Sequence, residues 1–292
     1  MSNVLYSIDK WSIFLGIGKS ERGEINMDLQ LKGKRAIVTG GSRGIGKAIA
    51  KQLCLEGVDV AIAARNKERL EETAVELSEL SGRKIVPLVV DTQDDEKVSS
   101  MVKSAVDQLG GVDILVNNAA QAGSGLPPPP LSGFTDEHFW PDMNTKVLGY
   151  LRCAREVVPY MKDNNWGRII NISGLAARQA NSIIGSMRNV SIVAMTKNLA
   201  DELGKYGINV TVVHPGETYT ERTPRTLENR ARELGITVEE MQGRSGRNVS
   251  IGRIVDSSEV AYVVTFLCSP RSVAINGDVI AAGGGTLRSI YY

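Results

Sequence analysis

Cysteine is scarce in this chain of 292 residues, which contains only Cys54, Cys153 and Cys268. These three lie far apart, so they form neither the dense framework of a disulfide-stapled domain nor a cluster with metal-ligand spacing. We interpret all three as small buried apolar groups. The pattern predicts a protein of a reduced compartment, which we take to be the cytoplasm, with no metal site.

An excess of charge of one sign is also missing. Lysine and arginine together number 34 and aspartate and glutamate 33, for a net charge of +1. This balance gives no reason to expect binding to nucleic acid or to an anionic membrane. No apolar run approaches the roughly 20 residues that a membrane-spanning helix needs. We interpret residues 1–31 as an N-terminal extension, because the apolar stretch 11–17 lacks the flanking features of a signal peptide.

The chain does contain a regular alternation of apolar strand patterns and helix patterns from residue 34 onward. The predicted helices are 47–53, 67–80, about 95–109, about 145–164, 187–204 and 257–267. The predicted strands are 35–38, 58–64, 84–90, 113–118, 168–172, 208–213 and 278–282. This alternation predicts an α/β fold, a single doubly wound Rossmann-type domain over 32–292, with a parallel sheet of about seven strands and helices on both faces.

A glycine-rich turn, Thr39–Gly46, lies between the first predicted strand and the helix that follows it. Gly40 permits a tight turn, Gly44 lets the backbone approach a phosphate, and Gly46 lets the helix pack close to the strand. The first amides of the helix and its dipole then face an anion. The strand–turn–helix setting therefore predicts a dinucleotide-binding site.

The end of the second strand indicates which dinucleotide is bound. An acidic residue at this place would bind the ribose hydroxyls of NAD, but the sequence here is Ala63-Ala64-Arg65. Arg65 and Arg43 could instead clamp a 2′-phosphate, because guanidinium matches phosphate geometry. The alternative is that both arginines are solvated surface charges. We predict NADP(H) as the cofactor and a small molecule as the substrate.

At this point the chain resembles the short-chain dehydrogenase/reductase family, over about residues 32–286. Thr39–Gly46 is similar to its TGxxxGxG loop, Asn117–Ala120 to its NNAG motif with alanine in place of glycine, and Pro215–Thr220 to its PGxxxT motif. Asp91, followed by Thr92, resembles the acid that meets the adenine amino group. The resemblance implies these cofactor-binding residues: Gly40, Ser42, Arg43, Gly44, Ile45, Gly46, Arg65, Asn66, Asp91, Thr92, Asn118, Ala119, Ala120, Pro215, Gly216, Thr218 and Thr220.

The resemblance fails at the residues that carry the family's chemistry. That family uses a serine after the fifth strand and a YxxxK pair on the next helix, with tyrosine as general acid or base. Alignment back from Thr196 places Gly185 at the tyrosine position and Asn189 at the lysine position, and no tyrosine or lysine occurs between residues 163 and 196. The serine position falls on Gly174, one residue after Ser173. The sequence thus predicts a divergent member without the catalytic pair.

Three interpretations follow from this departure. The first, which we adopt, is an oxidoreductase with a relocated proton donor. Its candidate catalytic residues are Asn144, which resembles the asparagine that holds a relay water, Ser173 and Tyr219; His214 and Glu217 are further donor candidates. The second is an oxidoreductase whose substrate, such as an iminium-like cation, needs no protein proton donor. The third is an NADP-binding homologue without redox activity, a regulatory or scaffold subunit.

The substrate side is predicted from two irregular segments. Residues 217–250 are predicted to form a substrate lid; its arginines either pair with neighbouring glutamates or select an anionic substrate, and Arg178 and Arg188 could do the same. The proline run 127–130 is a stiff surface loop or the rim of a substrate pocket. The resemblance further implies a homo-oligomer, a dimer or tetramer.

Overall fold

A seven-stranded parallel sheet forms the centre of the molecule. The computed structural model describes residues 17–19, 25–120, 130–180 and 182–287. The strands are β1 (Arg35–Thr39), β2 (Asp59–Ala64), β3 (Ile85–Val89), β4 (Ile114–Asn117), β5 (Gly167–Ile172), β6 (Ile208–Pro215) and β7 (Val279–Ala282). Their order in the sheet is β3-β2-β1-β4-β5-β6-β7. The predicted doubly wound α/β fold is confirmed.

Helices cover both faces of this sheet. They are α1 (Gly44–Leu55), α2 (Lys67–Ser81), α3 (Asp95–Leu109), α4 (Asp136–Asp142), α5 (Gly149–Asp163), α6 (Ile183–Leu203), α7 (Thr223–Leu234), α8 (Val238–Gly246) and α9 (Ser257–Leu267). Apolar residues of α1, α2 and α9 pack in one core cluster, and those of α3, α5 and α6 pack in another. The core therefore has two layers, one on each side of the sheet.

The strands are apolar on both sides because each of them contributes to both layers. In β1, Ala36 and Val38 belong to the layer of α1, whereas Ile37 between them belongs to the layer of α3. Successive side chains of a strand point to opposite faces, so an unbroken apolar run is what a sheet covered on both sides requires. All of β5 and β6 is buried for this reason.

Two predicted helices differ from those observed. The helix predicted for about 145–164 is divided into a π-helical turn, Met143–Leu148, and α5. The helix predicted for 187–204 begins four residues earlier, at Ile183, because the Ser182 hydroxyl accepts a hydrogen bond from the Gly185 amide and caps it. The π-helical turn, a rare form found mostly at functional sites, lies beside the carboxyl end of β5.

After β3 at one edge, the chain returns to the middle of the sheet, where β4 pairs in parallel with β1. Helix α1, which follows β1, and helix α5, which follows β4, pack on opposite faces of the sheet. Ligands of open α/β sheets bind at such a switch point, outside the carboxyl ends of the strands. After β6 the short strand Thr218–Tyr219 pairs in parallel with Val255–Asp256, and α7 and α8 lie between them. The predicted lid 217–250 thus contains two helices.

In the predicted N-terminal extension, Ile17–Lys19 pairs antiparallel with Ile25–Met27. Most of that extension, and residues 127–129 of the proline run, lie outside the described residues. No helix in the part of the chain that the structure describes is both long and apolar enough to cross a bilayer.

Candidate functional site

The glycine-rich turn packs so tightly that a side chain would clash at three of its glycines, Gly40, Gly41 and Gly46. A Cβ atom at Gly46 would lie 2.2 Å from the carbonyl oxygen of Gly40 and 2.4 Å from Nδ2 of Asn118. Gly40 itself has φ +66°, in the left-handed region that favours glycine. Helix α1 can therefore begin directly against the turn, with its first amides at the edge of the sheet.

The end of β4 braces this turn from the other side. Asn118 Nδ2 donates hydrogen bonds to the carbonyl oxygens of Thr39, at 3.1 Å, and Gly40, at 3.2 Å. The Thr39 hydroxyl oxygen in turn accepts from the amides of Asn118, at 2.9 Å, and Ala119, at 3.1 Å. The first and fourth strands are thus joined where they diverge, and the two predicted motifs form one rigid unit.

The first amide of α1 already binds an anionic group. The Gly44 amide donates to both carboxylate oxygens of Glu221, at 3.0 Å and 3.1 Å. A Cβ atom at Gly44 would meet only the Thr220 methyl group, at 3.7 Å, so backbone is exposed to the cleft here. A carboxylate at a helix N-terminus is a stand-in for the phosphate that such a terminus binds. The turn therefore fits a pyrophosphate.

Most of the predicted cofactor residues line one cleft above the carboxyl ends of β1, β2 and β4. The cleft includes Gly40, Ser42, Arg43, Gly44, Ile45, Arg65, Asn66, Asp91, Thr92, Asn118, Ala119, Ala120 and Thr220. The other predicted residues lie behind its wall: Gly46 inside α1, Pro215 at the end of β6, Gly216 against Gly283, and Thr218, whose hydroxyl donates to the Gly216 carbonyl at 3.0 Å. Their predicted contacts with a cofactor stay predictions.

Positive charge is concentrated at one end of this cleft. Burial, followed by the charges of Arg222 and Arg69, lowers the pKa of Arg43, while Glu221 opposes the shift and Arg65 adds to it. Arg69 and Arg222 also line the cleft, and the sequence prediction did not include them. Neighbouring guanidinium groups repel one another, and a bound anion offsets this repulsion. This end of the cleft therefore fits a phosphate monoester.

Asp91 and Thr92 lie where β3 meets the π-helical turn. The Asp91 carboxylate accepts from the Gln93 amide at 3.1 Å, and the Thr92 hydroxyl donates to the Thr145 carbonyl at 3.3 Å. Asn66 caps α2 by accepting from the Arg69 amide at 2.8 Å. With these hydrogen bonds Asp91, Thr92 and Asn66 stabilise the local structure. Their contacts with a cofactor stay predictions.

A second group of polar residues surrounds the carboxyl end of β5, away from the arginines. The Ser173 hydroxyl donates to the backbone carbonyl of Asn189 at 3.1 Å, and the Ser173 carbonyl accepts from Nζ of Lys146 at 2.9 Å. Ser173, Lys146 and Asn189 are 8%, 4% and 3% exposed. Within the described residues, Oδ1 of Asn189 is buried without a hydrogen-bond partner.

Lys146 was not predicted from the sequence. Burial, and then the charge of Arg188, lowers its pKa to about 7, while Asp142 acts in the opposite direction. Arg188 forms an ion pair with Asp142 at 2.5 Å, which joins α6 to α4 beside the lysine. In the sequence, the one sign that Lys146 is buried is that the apolar residues Val147 and Leu148 follow it directly.

The other predicted catalytic residues have different surroundings. Oδ1 of Asn144 accepts from Nη1 of Arg152 at 2.8 Å, and Tyr219 lies on the short strand opposite Asp256. His214 is buried at the end of β6, where its Nδ1 accepts from the Gly174 amide at 3.3 Å. Burial, and then the charges of Arg178 and Lys146, lowers the pKa of His214 to about 4, so this imidazole is neutral at pH 7.

Comparison with known proteins identifies the family. A family model described as short chain dehydrogenase matches residues 34–231. A putative ketoacyl reductase of Streptomyces coelicolor is 32% identical over 254 residues, covering 86% of this chain and 95% of that protein. The NADPH-dependent reductase BacG of Bacillus subtilis is 28% identical over 260 residues, covering 88% and 99%. The crystal structure of L-sorbose reductase from Gluconobacter frateurii, complexed with NADPH and L-sorbose, matches with a TM-score of 0.83 at 30% identity, covering 90% and 100%.

The chain belongs to the short-chain dehydrogenase family. It is therefore an oxidoreductase of the short-chain dehydrogenase type, and the resemblance seen in its motifs is confirmed.

That Gly185 and Asn189 on α6 stand at the family's tyrosine and lysine positions stays a prediction from the sequence. A Cβ atom at Gly185 would lie 3.0 Å from the Ser182 hydroxyl oxygen, so the cap of α6 leaves little room for a side chain there. Asn189 lies beside the carboxyl end of β5, in contact with Ser173. An amine is nonetheless present at this place, because Lys146 reaches it from the π-helical turn.

Proposed function

We propose that this short-chain dehydrogenase is an NADP(H)-dependent oxidoreductase that transfers hydride to or from a small carbonyl or alcohol substrate, with a proton donor other than the family's tyrosine. The observation that carries the proposal is the cleft itself, in which an anion-binding helix N-terminus and a group of arginines lie along one wall. NADP(H) as the cofactor is supported by the sorbose reductase, which is bound to NADPH, and by BacG, which is NADPH-dependent.

Different residues along the cleft are proposed to contact different parts of the cofactor and the substrate. The first amides of α1 would hold the pyrophosphate in place of Glu221, and Arg43 and Arg65 would hold the 2′-phosphate. Thr220 and Asn118–Ala120 line the cleft between the glycine-rich turn and the carboxyl end of β4. When bound, NADP(H) supplies or accepts the hydride. Ser173 is proposed to orient the substrate oxygen, and Asn144 and Tyr219 stay candidates for proton transfer.

The segment 217–250 is proposed to cover the substrate. Its helices α7 and α8 follow the carboxyl end of β6, at the edge of the sheet where ligands bind. Arg230 pairs with Glu217 at 3.2 Å, with both side chains about half exposed, so this arginine serves the lid's own structure. Arg178 lies near enough to His214 for its charge to lower the pKa of that imidazole, and it stays a candidate to meet an anionic substrate group.

A homo-oligomer is proposed from the surface of α5 and α6. Five apolar side chains on these helices and on the π-helical turn are 39–50% exposed: Leu148, Leu151, Ile183, Met187 and Val190. Exposed apolar groups that cluster on neighbouring helices are typical of a subunit interface. Light scattering coupled to size exclusion would give a mass above the 31.6 kDa of one chain.

Cofactor binding and turnover should be measured separately. NADPH titration followed by cofactor fluorescence tests the cleft, and NADPH oxidation with β-ketoacyl thioesters, ketoses, cyclic diketones, enones and cyclic imines tests the reaction. Turnover of a ketone class is the expected result. Turnover of cyclic imines alone would show that the enzyme reduces only substrates that accept hydride without a proton from the protein. Tight NADPH binding without turnover of any class would contradict the proposal and favour a redox-inactive protein, which its relatives do not favour.

A further inference from the structure

A buried lysine lies at the place where the proposed reaction needs a proton. Lys146 is 4% exposed, and its Nζ lies 2.9 Å from the carbonyl oxygen of Ser173, the residue proposed to orient the substrate oxygen. An ammonium group carries three donors, and the Ser173 carbonyl takes one of them. Oδ1 of Asn189, also in contact with Ser173 through its backbone, is a buried acceptor without a donor among the described residues.

The other candidates for proton transfer are committed to different contacts. His214 uses Nδ1 as an acceptor from Gly174, and its lowered pKa leaves it neutral and a poor acid at pH 7. Glu217 is paired with Arg230, and the side-chain oxygen of Asn144 is held by Arg152. Tyr219 lies on the short strand that pairs with Val255–Asp256.

We propose that Lys146 is the proton donor of this enzyme, replacing from the π-helical turn the acid that helix α6 lacks. The inference rests on the proposed function, because a proton is needed only if the substrate is a carbonyl or an alcohol. The π-helical turn is what makes the placement possible: it forms the junction of α4 and α5 and directs residue 146 at the carboxyl end of β5.

The step balances without any further reagent. In the reductive direction the dihydronicotinamide is oxidised as its hydride forms a C–H bond at the carbonyl carbon, and the π electrons of the C=O bond move to oxygen. An N–H bond of the Lys146 ammonium breaks as an O–H bond forms on that oxygen. The product is an alcohol, and the neutral amine regains a proton from water before the next turnover.

The charges around the amine suit this role. Arg188 on α6 favours release of the proton, Asp142 on α4 favours its retention, and His214 on β6 faces the lysine as a neutral group, with Arg178 beyond it. Burial is the main cause of the lowered pKa and Arg188 adds to it, so the ammonium is a stronger acid than that of an exposed lysine. A donor is most effective when its pKa lies near the working pH.

The test uses the 292-residue chain with two substitutions at Lys146. K146M removes the proton and keeps the length of the side chain, and K146R keeps the charge but does not release a proton. The matched control is K197M, an exposed lysine paired with Asp201 on the outer face of α6. Each variant is assayed for NADPH affinity by fluorescence, for turnover of the best ketone substrate across pH 5.5–9.5, and for turnover of a preformed cyclic iminium. Wild type and K146M are also labelled with [ε-¹³C]lysine and titrated by NMR.

We expect kcat for the ketone to fall by about 10²–10⁴ in both K146M and K146R, with NADPH affinity within about twofold of wild type. Iminium reduction should survive in K146M, because that substrate accepts hydride without a proton. One lysine resonance of the wild type should titrate near pH 7 and be missing from K146M. K197M should match wild type in every assay.

Three results would overturn the assignment: ketone turnover by K146M close to wild type, a Lys146 resonance that titrates above pH 10, or iminium turnover lost together with ketone turnover in folded K146M. A larger loss in Y219F than in K146M would reassign the donor to Tyr219. If the wild type binds NADPH but reduces no ketone, the proposed function fails and the donor role fails with it. If ketone turnover is robust and K146M retains it, the donor assignment alone fails.

Discussion

The carboxylate of Glu221 occupies the N-terminus of α1, where both its oxygens accept hydrogen bonds from the amide of Gly44. The two residues are 177 positions apart in the chain, so this contact joins the segment before α7 to the glycine-rich turn. A pyrophosphate would need the same amide. We therefore expect Glu221 to compete with the cofactor for this amide.

Removing this competitor should tighten cofactor binding. We expect E221A to bind NADPH about twofold to fivefold more tightly than wild type, the range that corresponds to the usual energy of a charge at a helix N-terminus. Isothermal titration at low salt measures the change, and the difference should shrink as salt is added. E233A, which removes an exposed glutamate of α7, serves as the control. Weaker binding by E221A would show that Glu221 helps to hold the cofactor.

The arginines at the end of β2 and in the glycine-rich turn should set the preference for NADPH over NADH. Replacing Arg43 and Arg65 together by alanine removes charge-assisted hydrogen bonds to a 2′-phosphate. We expect the Kd for NADPH to rise about 10- to 100-fold while the Kd for NADH changes by less than about threefold. K67A, an exposed lysine of α2 paired with Glu71, is the control for loss of surface charge. An equal loss for both dinucleotides would contradict the assignment of these arginines.

Two glycine substitutions should separate crowding from backbone strain. In G46A the new Cβ atom would lie 2.2 Å from the Gly40 carbonyl oxygen, so the turn must move. We expect NADPH affinity to fall more than about tenfold, with a loss of about 1–3 kcal/mol in the free energy of unfolding. In G82A the Cβ atom meets nothing within 4 Å, but the residue has φ +65°. This control should lose about 1 kcal/mol and bind NADPH normally.

The buried amine of Lys146 should make stability depend on pH in a defined direction. Its pKa is lowered from 10.5 to about 7 in the folded protein. Between these two values the unfolded chain binds more protons than the folded one, so the free energy of unfolding rises with pH across this interval. The penalty for charging Lys146 is fully present below pH 7.

The variant K146M lacks this penalty. We expect it to exceed wild type in the free energy of unfolding by about 1–4 kcal/mol at pH 6.5, with the gap closing toward pH 10.5. Urea unfolding at pH 6.5 and 9.5 measures both values, and the difference between the two proteins cancels the titration of other groups. A constant gap would show that Lys146 keeps an ordinary pKa.

Features formed by residues that are close together in the chain could be predicted from the sequence. The strands were predictable because β2 and β3 consist almost entirely of apolar residues. The glycine-rich turn was predictable because Gly40, Gly44 and Gly46 have fixed spacing within one turn. The start of α6 was missed by four residues, since its cap is formed by Ser182 and Gly185, which carry no apolar periodicity.

The contacts that matter most for the chemistry are not local. Glu221 reaches Gly44, and Lys146 reaches Ser173, only because the sheet brings the carboxyl ends of its strands to one edge. A search for lysine along α6 could not find Lys146, because it comes from another helix junction. The division of one predicted helix into a π-helical turn and α5 is equally invisible to periodicity, yet it sets the direction of this side chain.

The short ladder between Thr218–Tyr219 and Val255–Asp256 has a consequence for how this enzyme could acquire new substrates. These two strands form a ladder of their own outside the central sheet, and helices α7 and α8 lie between them in the chain. Doubling the length of such an excursion costs only about 0.6 kcal/mol in closure entropy. Evolution or an engineer could therefore exchange residues 223–247 as a cassette, because the cleft residues Thr220, Glu221 and Arg222 lie before this segment.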